Sequence, residues 1–321
     1  MLKPTTLIIE QVNVNENDEE KIQYDIQLGN KTFNEFILSY PSGAYTGMRT
    51  VHRDAIVELN THMKRMTKAL ANIKFEGNTV EETHEASESL ASLRDPIQFE
   101  NKLIPLLRKG LKTFYKQVDP TSNSEHPLEA KVSLMATYSF QTHKAYFAAH
   151  FVSLPSLPPQ MRIKVEIEQR MRNSPEIKNS QWVRDRQESE RNKAKDVNEV
   201  VLIDDKGHIY EGMASNFLAV IDKAVYCASL DHILLGSILK IVIDVCEKNQ
   251  IPIKWDFPKL QDAKEGKWEG CFLTSTSRLL LPIETIYFQH ESIEFKEPSS
   301  LIEFLRKEVA KEIYNNAYKI L

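Results

Sequence analysis

The spacing of hydrophobic positions changes along the chain, and each change marks an element. Ile22, Tyr24, Ile26 and Leu28 alternate with polar neighbours, the period of a half-buried strand, and Gly29-Asn30-Lys31 turns it back. Phe36-Ile37-Leu38 is an apolar run expected to be a second strand. From Leu59 the period lengthens. Leu59, Met63, Met66, Leu70 and Ile73 recur at three- and four-residue steps, which predicts a helix with one buried stripe and Arg65 beside it. Asn60 or Thr61 would cap that helix and Gly77-Asn78 would end it. Residues 78–92, rich in Glu, Ser and Thr, read as surface helix or loop. A helix over 96–117 would face Leu103, Leu106, Leu107, Leu111 and Phe114 inward, with Pro105 as a kink or as its true start. Residues 119–127 read as a polar loop.

Strands are expected over 131–138 and 145–153. Leu154-Pro155-Ser156-Leu157-Pro158-Pro159 then breaks the pattern, because proline supplies no backbone donor to a sheet or helix. This divides the chain into a small N-terminal α/β domain (1–153), a linker (154–161) and a C-terminal domain (162–321). In the latter, 199–203 is a strand followed by an Asp204-Asp205-Lys206-Gly207 turn, and 217–221 with 224–226 form a hairpin. Ile238, Ile241, Val242, Val245 and Cys246 form a helix stripe, and Cys271-Phe272-Leu273 is a short buried strand. A last helix follows Pro298, with Ser300 and Glu303 matching a capping box.

Composition narrows the class. Hydrophobic residues at 41% and charged residues at 27% are those of a globular protein. The net charge of −4 is spread without a basic stripe, which argues against nucleic acid as a partner. No apolar run is long enough for a membrane span, and Met1-Leu2-Lys3-Pro4 lacks the apolar core of a secretory signal. Cys227, Cys246 and Cys271 are odd in number and lack CxxC spacing. They read as buried thiols of a reducing, cytoplasmic setting and not as a disulfide frame or zinc site, and no metal is expected. P-loop, HExxH and GxSxG motifs are absent from the sequence.

The candidate chemistry is densest over 177–217. Ile177-Lys178-Asn179-Ser180-Gln181-Trp182 leads through a charged helical run to the 199–203 strand, and His208-Ile209-Tyr210-Glu211-Gly212-Met213-Ala214-Ser215-Asn216-Phe217 follows. By itself a lysine is a solvated surface charge and a Glu-Gly pair a surface turn. Their company sets them apart, since the interval between Lys178 and Glu211 suits one helix, one strand and a return strand. This pattern resembles the class IV (fold-type IV) aminotransferases, the family of D-amino-acid and branched-chain aminotransferases and aminodeoxychorismate lyase.

The resemblance implies a pyridoxal 5'-phosphate cofactor with Lys178 as its Schiff-base lysine and Glu211 on its ring nitrogen. His62-Met63-Lys64-Arg65 resembles the family's His-x-x-Arg segment, implying a phosphate contact at Arg65. Leu235-Gly236-Ser237-Ile238 stands where the family carries Gly-Ile-Thr, so Gly236, Ser237 and Ile238 keep the backbone donors but lose the threonine hydroxyl. Ser275 and Thr276, in Leu273-Thr274-Ser275-Thr276-Ser277, resemble the third phosphate contact. Gly43-Ala44-Tyr45-Thr46 resembles a strand whose aromatic residue lines the substrate side. That makes Tyr45 and Thr46 pocket candidates, with Thr46 replacing a glutamate. Tyr138, Tyr146 and His150 read first as core, and Trp182, Arg184 and Arg186 as either structural or entrance residues. The implied reaction is transfer of an amino group between an amino acid and a 2-oxo acid, by a homodimer with its site near the interface. A lyase of the aminodeoxychorismate type would share every cofactor residue, and a non-catalytic binding or scaffold relative would fit the departures at Thr46 and Ile238.

Overall fold

The computed structural model describes residues 3–16, 21–120 and 128–321. The chain begins with β1 (Thr6–Gln11) and β2 (Tyr24–Gly29). Next comes α1 (Phe33–Leu38), where a strand was expected. Thr32 decides this: its hydroxyl accepts from Glu35 N while the Glu35 carboxylate accepts from Thr32 N, a complete capping box that outweighs a three-residue apolar run. After β3 (Ala44–Val51) and β4 (Ala55–Val57), α2 (Leu59–Asn72) starts behind Glu58 with no side-chain cap, so neither Asn60 nor Thr61 caps it, and it stops before Gly77. Residues 78–92 carry α3 (Val80–Ser89), capped by Thr79, and the start of α4 (Ala91–Arg94).

Helix α5 (Pro96–Gln117) is continuous, with Asp95 as cap, Pro96 in its first turn and Pro105 inside it. Leu103, Leu106, Leu107, Leu111 and Phe114 are all buried on it. Gly110 lets this helix sit on a strand, since a Cβ there would stand 2.2 Å from the Phe151 ring. The loop expected over 119–127 lies mostly outside the described residues, which omit 121–127. Strands β5 (Glu129–Ser139) and β6 (Lys144–Leu154) close the first half.

The remaining elements are β7 (Ile163–Gln169), α6 (Gln181–Asp185), α7 (Gln187–Asn192), β8 (Glu199–Ile203), β9 (Ile209–Gly212), β10 (Asn216–Ile221), β11 (Ala224–Cys227) and α8 (Ser237–Lys248). Then come β12 (Ile253–Trp255), α9 (Leu260–Lys264), β13 (Gly270–Ser275), β14 (Leu279–Phe288), β15 (Glu291–Glu294), α10 (Ser300–Asn315) and β16 (Ala317–Lys319). The cap of α10 is Ser299, whose Oγ accepts from Ile302 N at 3.3 Å, one residue earlier than the sequence match at Ser300.

The chain forms two compact units, and the division is not a single cut at 154–161. One unit holds residues 1–156, 177–184 and 316–321, and the other holds 157–176 and 185–315. In the first, seven strands run in the order β16-β4-β3-β5-β6-β1-β2. One sheet face packs on α2, α3 and α5, with α4 against those helices, through a large core including Met48, Leu70, Leu107 and Phe147. The other carries a smaller cluster around Tyr45, Phe36 and Met135.

In the second unit β10-β13-β14-β7-β8-β9 closes on itself, because β9 pairs back with β10 at Glu211 opposite Asn216. The result is a six-stranded barrel with β11 and β12 continuing from β10 and β15 from β14. Its core includes Ile163, Val201, Phe217, Cys271 and Leu281. All three cysteines are buried, and no described helix is long and apolar enough to cross a membrane.

Candidate active site

In the first unit, the segment carrying Lys178 is stitched to the start of β3. Ser180 N donates to Gly43 O at 2.8 Å, Gly43 N to Ser180 Oγ at 3.0 Å, and Tyr45 N to Lys178 O at 3.1 Å. Gly43 permits the approach, since a Cβ there would lie 2.4 Å from Ala136 O. The backbone of Lys178 is therefore fixed, and its half-buried ammonium lies 4.9 Å from the centre of the Tyr45 ring, a cation over an aromatic face.

Helix α2 contributes His62 and Arg65, which share a face at three-residue spacing. Arg65 Nη2 donates to His62 Nδ1 at 2.7 Å and to the Thr46 hydroxyl, and Thr46 Oγ1 lies 2.8 Å from the same ring nitrogen. His62 is 1% exposed. Burial first, then the Arg65 and Lys178 charges, hold its basicity well below the ordinary imidazole range, so the ring is neutral.

In the second unit, Glu211 sits at the barrel-closing register and is buried. Its Oε2 accepts from Leu234 N at 3.2 Å, and its Oε1 pairs with Arg172 Nη1 at 3.2 Å, both side chains being 6% exposed. Leu234 O in turn accepts from Asn216 Nδ2 at 2.7 Å. The Leu234 residue is thus gripped at its N–H and its carbonyl by two side chains that face each other across the β9–β10 pair. Gly236 is needed just beyond, because a Cβ would meet Asn216 Oδ1 at 2.3 Å.

Helix α8 starts at this point with no side-chain cap, leaving its first-turn N–H groups available to an anion. Ser237 Oγ lies 3.0 Å from Thr276 Oγ1, which brings the hydroxyls of two candidate segments together. Ile238 is buried in the inward stripe of α8, so it can offer an anion its backbone N–H but no side-chain contact. Ser275 Oγ accepts from Arg278 N at 3.3 Å, and the Arg278 guanidinium pairs with Glu199. Glu199 also accepts from Ala214 N at 2.7 Å, while Arg186 donates to Met213 O. The turn after Glu211 is held from both sides.

Of the sequence candidates, Lys178, Tyr45, Thr46 and Arg65 are thus in the first unit, and Glu211, Gly236, Ser237, Ile238, Ser275 and Thr276 in the second. Tyr138 is core, Tyr146 meets Tyr40 edge to face, and His150 bonds Lys31 O at 2.7 Å. Arg184 ties its own segment to Tyr40 O and Ser180 O. Sequence reasoning missed Arg172, Glu199, Leu234 and Arg278, whose partners are chosen by strand register.

The family model for class IV amino-transferases matches residues 43–286, well over half of the chain. The chain belongs to the class IV aminotransferases. Solved structures share its fold. A branched-chain amino acid aminotransferase from T.th., complexed with N-(5'-phosphopyridoxyl)-L-glutamate, superposes with a TM-score of 0.71 at 13% identity, covering 100% of each chain. A fold IV-transaminase from Curtobacterium pusillum gives 0.65 at 14% identity, over 95% of this chain and 99% of that one. A hypothetical aminotransferase from Mycobacterium tuberculosis in its PLP-bound form gives 0.66 at 11%, over 96% and 99%.

In sequence, the chain is 26% identical over 119 residues to the "Probable branched-chain-amino-acid aminotransferase" of Rickettsia felis. That match spans 37% of this chain and 40% of the relative's length. Two positions where this class IV aminotransferase departs from the family pattern now have a structural account: Thr46 supports Arg65, and Ser237 presents the hydroxyl that Ile238 cannot.

Proposed function

We propose that the chain is a pyridoxal 5'-phosphate-dependent aminotransferase, exchanging an amino group between an amino acid and a 2-oxo acid. The observation that carries this reading is Glu211, a buried carboxylate aimed by Leu234 N–H three residues before the uncapped start of α8. A protonated pyridine nitrogen needs such an acid, and a phosphate needs such a helix start. The donor set fits the cofactor: an amine, an acid, a guanidinium, two adjoining hydroxyls, and Thr274 Oγ1, buried with no partner among the described residues.

Bound pyridoxal phosphate supplies the electron sink for the charge left when a substrate's α-proton departs. The chain's own residues do the rest. The Lys178 amine would hold the cofactor until a substrate amine displaces it, and the freed amine would then carry the α-proton as general base. The Glu211 carboxyl would face the ring nitrogen and favour its protonated form. For the phosphate the first unit would offer Arg65, and the second the hydroxyls of Ser237 and Thr276 and the N–H groups of Ser237 and Ile238, with Ser275 orienting the turn. Tyr45 lines the substrate side. A homodimer is the expected assembly, and branched-chain amino acids, named for several structural neighbours, are the first donors to assay.

Soaking purified protein in pyridoxal phosphate should give a visible absorbance band that hydroxylamine removes and that Lys178→Ala lacks. Borohydride reduction followed by peptide mass mapping should place the adduct on Lys178. A wild-type protein that never acquires the band would overturn the proposal and favour a binding role. Pyruvate release from aminodeoxychorismate without an amino acceptor would mark a lyase instead, and a donor screen with both enantiomers sets substrate and handedness.

A further inference from the structure

The half-buried Arg65 guanidinium is held by a histidine ring and a hydroxyl. Arginine donates hydrogen bonds and accepts none, so the 2.7 Å contact from Arg65 Nη2 requires the Nδ1 of His62 to be the acceptor. The proton of the neutral ring is then on Nε2. Thr46 Oγ1 also accepts from Arg65 and lies 2.8 Å from the same His62 Nδ1, whose one lone pair the guanidinium already engages. The three groups form a closed triangle in which both of these supports of the guanidinium are uncharged.

An aspartate or glutamate in either supporting position would orient Arg65 equally well but would neutralise it. A neutral imidazole and a hydroxyl fix its direction without taking up its charge. The other charge that bears on His62 is also positive, the Lys178 ammonium. Two cations of the first unit therefore bear on one neutral ring.

We propose that His62, assisted by Thr46, is the positioning residue that aims Arg65 at a phosphate dianion without neutralising it. This rests on the reading that the chain binds pyridoxal phosphate, and it assigns to His62 a role toward the phosphate alone.

That restriction supplies the test. Binding of pyridoxal phosphate and of pyridoxal, which lacks the phosphate, is titrated by absorbance on the full chain. His62→Leu removes the acceptor, whereas His62→Asn places an amide oxygen close to where Nδ1 was. Losing one charge-assisted hydrogen bond should weaken pyridoxal phosphate about tenfold in His62→Leu, leaving pyridoxal within about twofold, and His62→Asn should recover most of the difference. Thr46→Val, which keeps the side chain's shape, should weaken pyridoxal phosphate by roughly threefold and leave pyridoxal unchanged.

If His62→Leu does not fold, the other two variants decide the matter by the same comparison. Equal losses for both ligands, or no recovery with asparagine, would make His62 a merely structural histidine and overturn the inference. A wild-type protein that binds neither ligand would fail the functional reading itself, and this inference with it.

Discussion

Around Lys178 in the first unit and around Glu211 in the second, polar groups are oriented by different kinds of partner. In the first, the groups around Lys178 are supported by neutral partners: His62 and Thr46 on Arg65, an aromatic face under the lysine, and backbone bonds from Gly43 and Tyr45. In the second, ion pairs take that part: Arg172 with Glu211, and the half-buried Arg278 with the buried Glu199. Neutral support orients a charge without cancelling it. An ion pair spends part of it on geometry, and that suits a carboxylate whose direction matters as much as its charge.

Four experiments probe this contrast, the largest effect first. Lys178→Ala should abolish the visible band and transamination together, with little loss of stability, because the segment's ties to β3 run through its backbone. Glu211→Gln should lower turnover about a hundredfold and also cost roughly 3–5 kcal/mol of stability, since Arg172 would be left buried beside a neutral group. Adding Arg172→Met in the same chain should recover stability in a denaturant melt but not turnover; recovery of both would show that the acid's charge is dispensable.

Acidification should act on the first unit through its histidines. Burial pushes His150 down to about 4 from 6.5, so the unfolded chain takes up a proton more readily than the folded one. Stability is then complete above about pH 6.5 and falls as pH drops, by about 3 kcal/mol on reaching pH 4. Denaturant melts at several pH values measure that slope, and His150→Asn should flatten it. Last, Gly236→Ala should cost about 1–3 kcal/mol, because the new methyl meets Asn216 Oδ1 and no positive φ is involved. Its thermal midpoint and pyridoxal phosphate affinity should fall together.

Much of the fold was legible where local pattern and burial agree. The strand over 199–203 and the helix over 96–117 lie where their apolar spacing put them. Phe36-Ile37-Leu38 failed as a strand because the deciding signal, Thr32 with Glu35, lies just upstream of the apolar run. The candidate residues of the site were legible through motif order, yet their supports were not. Arg278 finds Glu199 across 79 positions, and Arg172 finds Glu211 across 39, separations that only the barrel's register bridges. The division into units was misjudged for a similar reason: nothing in the local pattern of 177–184 or 316–321 says which sheet it will join.

The strand β16 forms the rim of the first unit's sheet beside β4, and Glu58 N just past β4 donates to Asn316 O at 2.7 Å. During synthesis that rim stays open until residues 317–319 leave the ribosome, although the sheet's other strands are all complete by Leu154. A nascent chain would need to shield β4 from stray pairing while the whole barrel unit is being made. Deleting residues 316–321 should reopen the same edge, with self-association as its first symptom.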